Sequence, residues 1–213
     1  MIDAREWMEI GQQLQGHKCP SMVLGLRAGA AALNKLGVER AKDSELILMV
    51  DLGENHWALD YVDGLQVITG CTIGKGNLIF THKGKLAFIL IDVEKKQAVR
   101  VSPDADIVLS FRKTDFFNLY RKRGTAASKV PDDLVEPLIK FVMNTPEEKL
   151  LNVSAIFDFE YSESPRSFYS FVCEECDEVV IEEYGRIKGD RMVCMDCAAK
   201  KETRFEVNSI RED

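Results

Sequence analysis

Four cysteines near the end of the chain constrain its fold more than any other feature. Cys173-x-x-Cys176 and Cys194-x-x-Cys197 are separated by seventeen residues. A two-residue gap lets both sulfurs of a pair face one ion at about 2.3 Å, and two such pairs complete a tetrahedron. The stretch from Phe168 to Asp213 is too short to build much core, so a metal is expected to supply its folding energy. Zinc suits this spacing, an iron centre is the rival ion, and two disulfides or free thiols are the metal-free alternatives. Four thiolates leave no open coordination position, so a zinc held this way is structural. Between the pairs, Val179–Ile181 and the 184–187 region are expected to form a hairpin. With a helix over 198–201, the tail then has the form of a treble clef zinc finger.

Charge bears on what this finger can touch. The chain of 213 residues carries 28 basic and 35 acidic side chains, a net of -7. From Phe168 onward there are 12 acidic and 7 basic residues, net -5. Four thiolates around one divalent ion add more negative charge, so the tail as a whole repels a phosphate backbone. A protein contact is expected there in preference to nucleic acid. Hydrophobic residues at 46% and charged residues at 30% are typical of a globular protein. The longest apolar runs fall well short of the roughly 18 residues of a membrane span. The polar start reads as the beginning of a helix and not as a secretory signal, so a cytoplasmic location is expected. In such a reducing compartment clustered thiols point to metal.

Upstream, apolar and capping patterns predict a first helix over 3–15 and a second from Pro20 to Leu36, stopped by Gly37. Gly25, Ala28, Gly29 and Ala32 line one side of the second helix, where a neighbour can pack closely. A buried strand is expected over 45–52 and a helix over 60–68. Strands over 78–81, 85–93 and 97–101 then form a β-meander. Helical stretches follow over 102–123 and 134–143, with a further start at Thr145-Pro146-Glu147-Glu148 and a last strand over 153–159. The polar, proline-containing 161–167 segment is the expected linker. The fold class is therefore α+β, with a core domain over 1–160 and the four-cysteine finger over 168–213.

Chemistry in the core centres on Gly16-His17-Lys18-Cys19-Pro20, at a helix start. Backbone N–H groups and the helix dipole there favour a thiolate, and an imidazole two residues away adds a second metal donor. The alternative is a buried cysteine at a helix start beside a capping histidine. The glycines of 74–76 lack the spacing of a Walker loop and suit a tight turn beside a strand. His56 and His82 have no partner at ligand spacing. Arg121-Lys122-Arg123 suits a helix C-terminus, and Phe111, Phe116, Phe117 and Tyr120 suit a core.

Two blocks carry a resemblance. Gly16-His17-Lys18-Cys19-Pro20-Ser21-Met22-Val23-Leu24-Gly25-Leu26-Arg27 is one. Asp63-Gly64-Leu65-Gln66-Val67-Ile68-Thr69-Gly70-Cys71-Thr72-Ile73-Gly74-Lys75-Gly76-Asn77-Leu78 is the other, continued by Gly84-Lys85-Leu86-Ala87-Phe88. In that order they resemble the formylmethanofuran dehydrogenase E-subunit family, some of whose members also carry a C-terminal four-cysteine finger. The resemblance implies an α+β core that forms homodimers. It also implies a groove where the His-x-Cys segment meets the glycine-rich loop and a metal, zinc or nickel, can bind. His17 and Cys19 would be metal or active-site residues there, with Cys71 and Lys75 lining the same groove. Where that family commonly has a further cysteine, this chain has Asp60, a harder ligand.

No ferredoxin-type cysteine run and no dinucleotide fingerprint is present, so no electron-transfer cofactor is expected, and any link to an oxidoreductase is by association. Three functions fit: a metal-binding accessory or regulatory protein, a zinc- or thiolate-dependent enzyme acting on a small anion at Cys19, or a finger that binds a protein partner.

Overall fold

The computed structural model describes residues 1–53, 57–162 and 168–200. His56, residues 163–167 of the expected linker and Lys201 lie outside the described residues. The chain divides into two compact units, Met1–Tyr161 and Ser162–Asp213.

In the first unit, Asp3 caps a short 3-10 turn by accepting from the Arg5 N–H, and the chain continues into α1 (Met8–Gln15). Gly16 ends α1 in the left-handed region at φ 74°, where other residues are strained. The chain can then turn back through His17 and Lys18 into α2 (Pro20–Leu36), which Gly37 stops in the same way. Next come β1 (Leu46–Val50), α3 (Asp60–Thr69), β2 (Leu78–Phe80), β3 (Phe88–Asp92) and β4 (Gln97–Pro103). After them come α4 (Ala105–Ser110), α5 (Asp132–Asn144), α6 (Glu147–Leu150), β5 (Leu151–Val153) and β6 (Phe157–Asp158).

The sheet runs β2-β1-β3-β4-β5, with β6 also paired to β4. The expected meander is corrected here. Strands β3 and β4 do form an antiparallel hairpin, but β2 pairs with β1, in parallel, with Leu48 opposite Leu78. The reason is α3: a helix between two strands returns the chain to the edge it left, which makes the next strand parallel. Residues 85–87 are loop, and the strand begins only at Phe88. The 102–123 region is also less regular than a helix, breaking after Ser110 into 3-10 turns and one π-helical turn, Phe116–Tyr120.

One face of the sheet, including Leu48, Val50, Phe88, Leu90, Val99 and Val101, belongs to the same buried cluster as residues of α2 and α3. Burial of each such side chain is worth about 1.5–3 kcal/mol. The opposite face packs Ile47, Ile91 and Ala98 with Phe157 and Phe159. Helices α2 and α3 approach at backbone distance. A Cβ on Gly25 would stand 2.1 Å from the Tyr61 carbonyl oxygen, and one on Gly64 2.0 Å from that of Met22. The small-residue stripe of α2 thus meets a helix with a glycine of its own. Arg27, further along α2, donates to the carbonyls of Val142, Met143 and Thr145 at 2.9, 2.6 and 3.0 Å, satisfying the end of α5.

In the second unit, β7 (Ser170–Val172) pairs with β8 (Val179–Ile181), and β9 (Gly185–Lys188) with β10 (Arg191–Cys194). The expected hairpin between 179–181 and 184–187 is therefore replaced by two. The β7–β8 hairpin turns through the Cys173–Cys176 pair and the β9–β10 hairpin at Gly189, at φ 65°, so each strand finds its partner across its own turn. The last helix, α7 (Met195–Ala199), starts earlier than expected because Cys194 caps it: the Cys194 sulfur accepts from the Cys197 N–H at 3.4 Å.

Candidate functional site

Among the described residues there are two clusters of ligand-type side chains. In the tail, one sulfur from each of Cys173, Cys176, Cys194 and Cys197 lies within 4.8 Å of the others. Tetrahedral zinc with about 2.3 Å bonds would hold sulfurs about 3.8 Å apart, and Cys176 and Cys194 are already at 4.0 Å. Cys173 and Cys197 are buried. The Cys194 N–H donates to the Cys173 sulfur at 3.3 Å, and the Lys200 ammonium to that of Cys197 at 3.6 Å. Burial opposes the Cys173 thiolate, yet the N–H groups of Cys194, Glu175 and Cys176 outweigh it and bring its pKa down to about 6. No disulfide forms, and the cluster could bind a metal such as zinc.

The core cluster is His17, Cys19 and Asp60, whose ligand atoms also lie within 4.8 Å of one another. Local structure explains their meeting. Cys19 is the extended N-cap residue of α2, and Asp60 is the first residue of α3. The Gly25–Gly64 approach fixes these two helices together near their starts, so both residues sit at converging positive dipole ends. His17 is presented by the turn between α1 and α2. Lys18 anchors that turn by ion pairs to Asp132 and Glu136 of α5.

The histidine is oriented as a ligand. Its Nδ1 lies 3.1 Å from the Gln15 carbonyl oxygen, while Nε2 is buried with no hydrogen-bond partner among the described residues. Donation from Nδ1 to a carbonyl leaves the Nε2 lone pair free, the arrangement that a metal-bound histidine commonly shows. The Cys19 thiol donates to Asp60 Oδ2 at 3.2 Å. Burial, followed by the Asp60 charge, pushes its pKa up to about 12, although the N–H groups of Met22 and Ser21 pull the other way. A cation between the two would replace that proton and favour the thiolate. Asp63, one turn along α3, accepts from Gln15 Nε2 at 3.3 Å; burial and then Asp60 push its pKa up. The donor set of imidazole, thiolate and carboxylate fits zinc and related divalent ions, with a position left over in a tetrahedron.

The glycine-rich loop does not join this cluster. Cys71 and Lys75 follow the far end of α3, and the ten-residue helix separates them from Asp60 by about 15 Å along its axis. Cys71 is fully buried, its thiol donating to the Leu46 carbonyl, and burial raises its pKa to about 11. The Lys75 ammonium donates to the carbonyls of Ala41 and Lys42 at 3.1 and 3.2 Å. Asn77 also ties the loop down, through Asp43 and Leu46. The groove expected between the two motifs is thus absent within the described chain, and the loop braces β1 against β2.

A different cavity opens beside Cys19 and Asp60. Its walls include Phe111, Phe116, Arg112 and Arg121, from the irregular stretch after α4. Sequence patterns alone assign the phenylalanines to the core and Arg121 to a helix end. Because the segment is neither regular helix nor strand, no periodicity shows that these side chains converge. Gln15 and Asp63 escape sequence reasoning as well, since no spacing rule links a helix end to a position 48 residues on.

Over 197 residues the chain is 29% identical to a protein of Archaeoglobus fulgidus described as a probable S-adenosyl-L-methionine-binding protein. The match covers 88% of this chain, but the chain spans only about half, 51%, of that relative. A crystal structure of a tungsten formylmethanofuran dehydrogenase E-subunit (FmdE)-like protein from Syntrophus aciditrophicus superposes with a TM-score of 0.59. It covers 92% of each chain at 18% identity, a likeness of fold. The family model described as FmdE, molybdenum formylmethanofuran dehydrogenase operon, matches residues 14–152, which hold the histidine, thiol and carboxylate of the core cluster and both glycines that bring them together; the chain belongs to the FmdE family.

Proposed function

We propose that this FmdE-family protein is a metal-binding accessory or regulatory protein. Its working ion is held in the core by His17, Cys19 and Asp60, and a second, structural zinc is held by the four tail cysteines. The observation that carries the reading is the buried, unpartnered His17 Nε2 beside Cys19 and Asp60. A buried nitrogen without a partner costs about 1–3 kcal/mol, and a bound cation removes that cost. When present, the core ion supplies Lewis acidity at one exchangeable position. His17, Cys19 and Asp60 orient it, Gln15 fixes the imidazole, and Lys18 holds the turn. The tail is read as a treble-clef-like finger that offers a protein partner an acidic face, and the protein as a cytoplasmic homodimer. None of its described helices is long and apolar enough to cross a membrane.

Metal analysis of the purified chain tests the central claim. Two ions per chain are expected, with one lost in Cys19→Ser and the other retained. A single ion that survives that change removes the core centre. A second reading, an enzyme working on a small anion at the core ion, is favoured by the cavity that reaches Cys19 and Asp60. Sedimentation of the intact protein checks the dimer, where a monomer mass would refute it.

A further inference from the structure

The cavity beside the core cluster has a composition of its own. It is a narrow cavity of about 40 Å³, and Cys19 and Asp60 form part of its lining. Phe111, Phe116 and their neighbours make its wall mainly apolar, and two cations, Arg112 and Arg121, join them. Asp60 is its only acidic lining residue among those described. Arg121 makes one hydrogen bond from its side chain among the described residues, to the Thr125 carbonyl at 2.7 Å, which leaves further N–H donors to aim elsewhere. Arg112 is exposed, and its guanidinium forms no ion pair among the described residues. His17 lines a separate pocket with Lys18 and Asp132, so the cavity reaches the site from its thiol and carboxylate side.

Charge counting narrows the occupant. A divalent ion with one thiolate, one carboxylate and a neutral imidazole carries no net charge, and three ligands leave a fourth position. An anionic donor entering there would leave the centre at minus one, which one guanidinium cancels. A guanidinium also matches the two oxygens of a carboxylate in one plane. An amine would meet two like charges.

On the reading that His17, Cys19 and Asp60 hold a metal, we infer that this cavity binds a monocarboxylate bearing a short apolar chain. One carboxylate oxygen takes the fourth position on the ion and the other pairs with Arg112 or Arg121. The chain lies against Phe111 and Phe116.

The test uses the intact protein with zinc in its tail and cobalt(II) in its core, where the visible bands of cobalt report its ligands. Hexanoate is expected to change those bands at about millimolar concentration or below. Acetate, with less apolar surface to bury, should need at least about tenfold more, and hexylamine should have no effect. Arg112→Met together with Arg121→Met should weaken the hexanoate response about tenfold or more while cobalt uptake stays unchanged, which also reports that the variant is folded. Arg112→Met alone, at an exposed position, carries the comparison if the double variant does not fold. Cobalt bands that ignore hexanoate overturn the inference and leave the metal centre standing. A response that the arginine variants share in full also overturns it, as plain anion exchange at the ion. Equal cobalt uptake by the parent and Cys19→Ser sinks the metal centre, and the ligand with it.

Discussion

The two cysteine-bearing clusters are built on opposite principles. In the tail, the sulfurs come in pairs, one on a tight turn and one at the start of a short helix, strands of three or four residues surround them, and the buried apolar cluster is small: Cys173, Val180, Val193 and Cys197. Two of its four members belong to the sulfur cluster, so little apolar core stands apart from it. In the core, three unlike donors sit where two long helices begin, and a large apolar cluster already fixes those helices. There the apolar packing stands apart from the donors, whereas in the tail the sulfur cluster makes up half of the buried core. A saturated four-sulfur cage is suited to holding structure, and a three-donor cluster beside a cavity is suited to meeting a ligand.

That contrast can be broken most forcefully in the tail. Cys197→Ser, or a strong chelator, should unfold residues 168–200, because structural zinc in small modules supplies on the order of 10 kcal/mol. The first unit should remain intact. Limited proteolysis with mass mapping checks both statements, and protection of the tail after metal removal would erase the distinction. Gly64→Ala probes the core from the other side. With a Cβ 2.0 Å from the Met22 carbonyl oxygen, the helices must part, at a cost of about 4 kcal/mol in denaturant melts. The core ion should then be lost while the tail ion stays.

Smaller effects sharpen the comparison. Asp60→Asn should weaken metal uptake at the core by about a hundredfold, or about 2.7 kcal/mol, with little change in the melt, because the helices hold the site without it. Titration of the metal-free protein measures this. Uptake at the core should also tighten as pH rises. With the Cys19 thiol held at about 12 in the absence of metal, binding must expel its proton, so each pH unit gained is worth up to about tenfold in affinity. Affinity that is flat between about pH 6 and about pH 8 would mean that the thiol is not a ligand. Lys18→Ala should do least, lowering affinity by less than about tenfold, since its ion pairs to Asp132 and Glu136 are largely solvated and only steady the turn.

Much of this was legible in the sequence because its signals are local. Pro20 and Gly37 bracket α2 through backbone rules, the cysteine spacing defines the tail cluster, and the ligand atoms of His17, Cys19 and Asp60 lie within 4.8 Å of one another. What failed was non-local. Strand β2 carries no mark that chooses β1 over β3; α3 makes that choice by reversing the chain. Cys71 and Lys75 sit in a motif beside the same helix, yet a motif does not say which end of a helix it serves. The aromatic and guanidinium wall of the cavity lies on turns of mixed pitch, which no single period describes.

The glycine pair between α2 and α3 has a consequence for how such a protein can change over time. With main chain pressed on main chain, the two helix beginnings have no slack, so the separation between positions 19 and 60 is inherited from the scaffold and does not depend on what occupies them. Swapping the oxygen donor at position 60 for a sulfur donor would then retune which element is preferred without rebuilding the socket. Lineages sharing this framework can diverge in chemistry by one side chain while their architecture stands still.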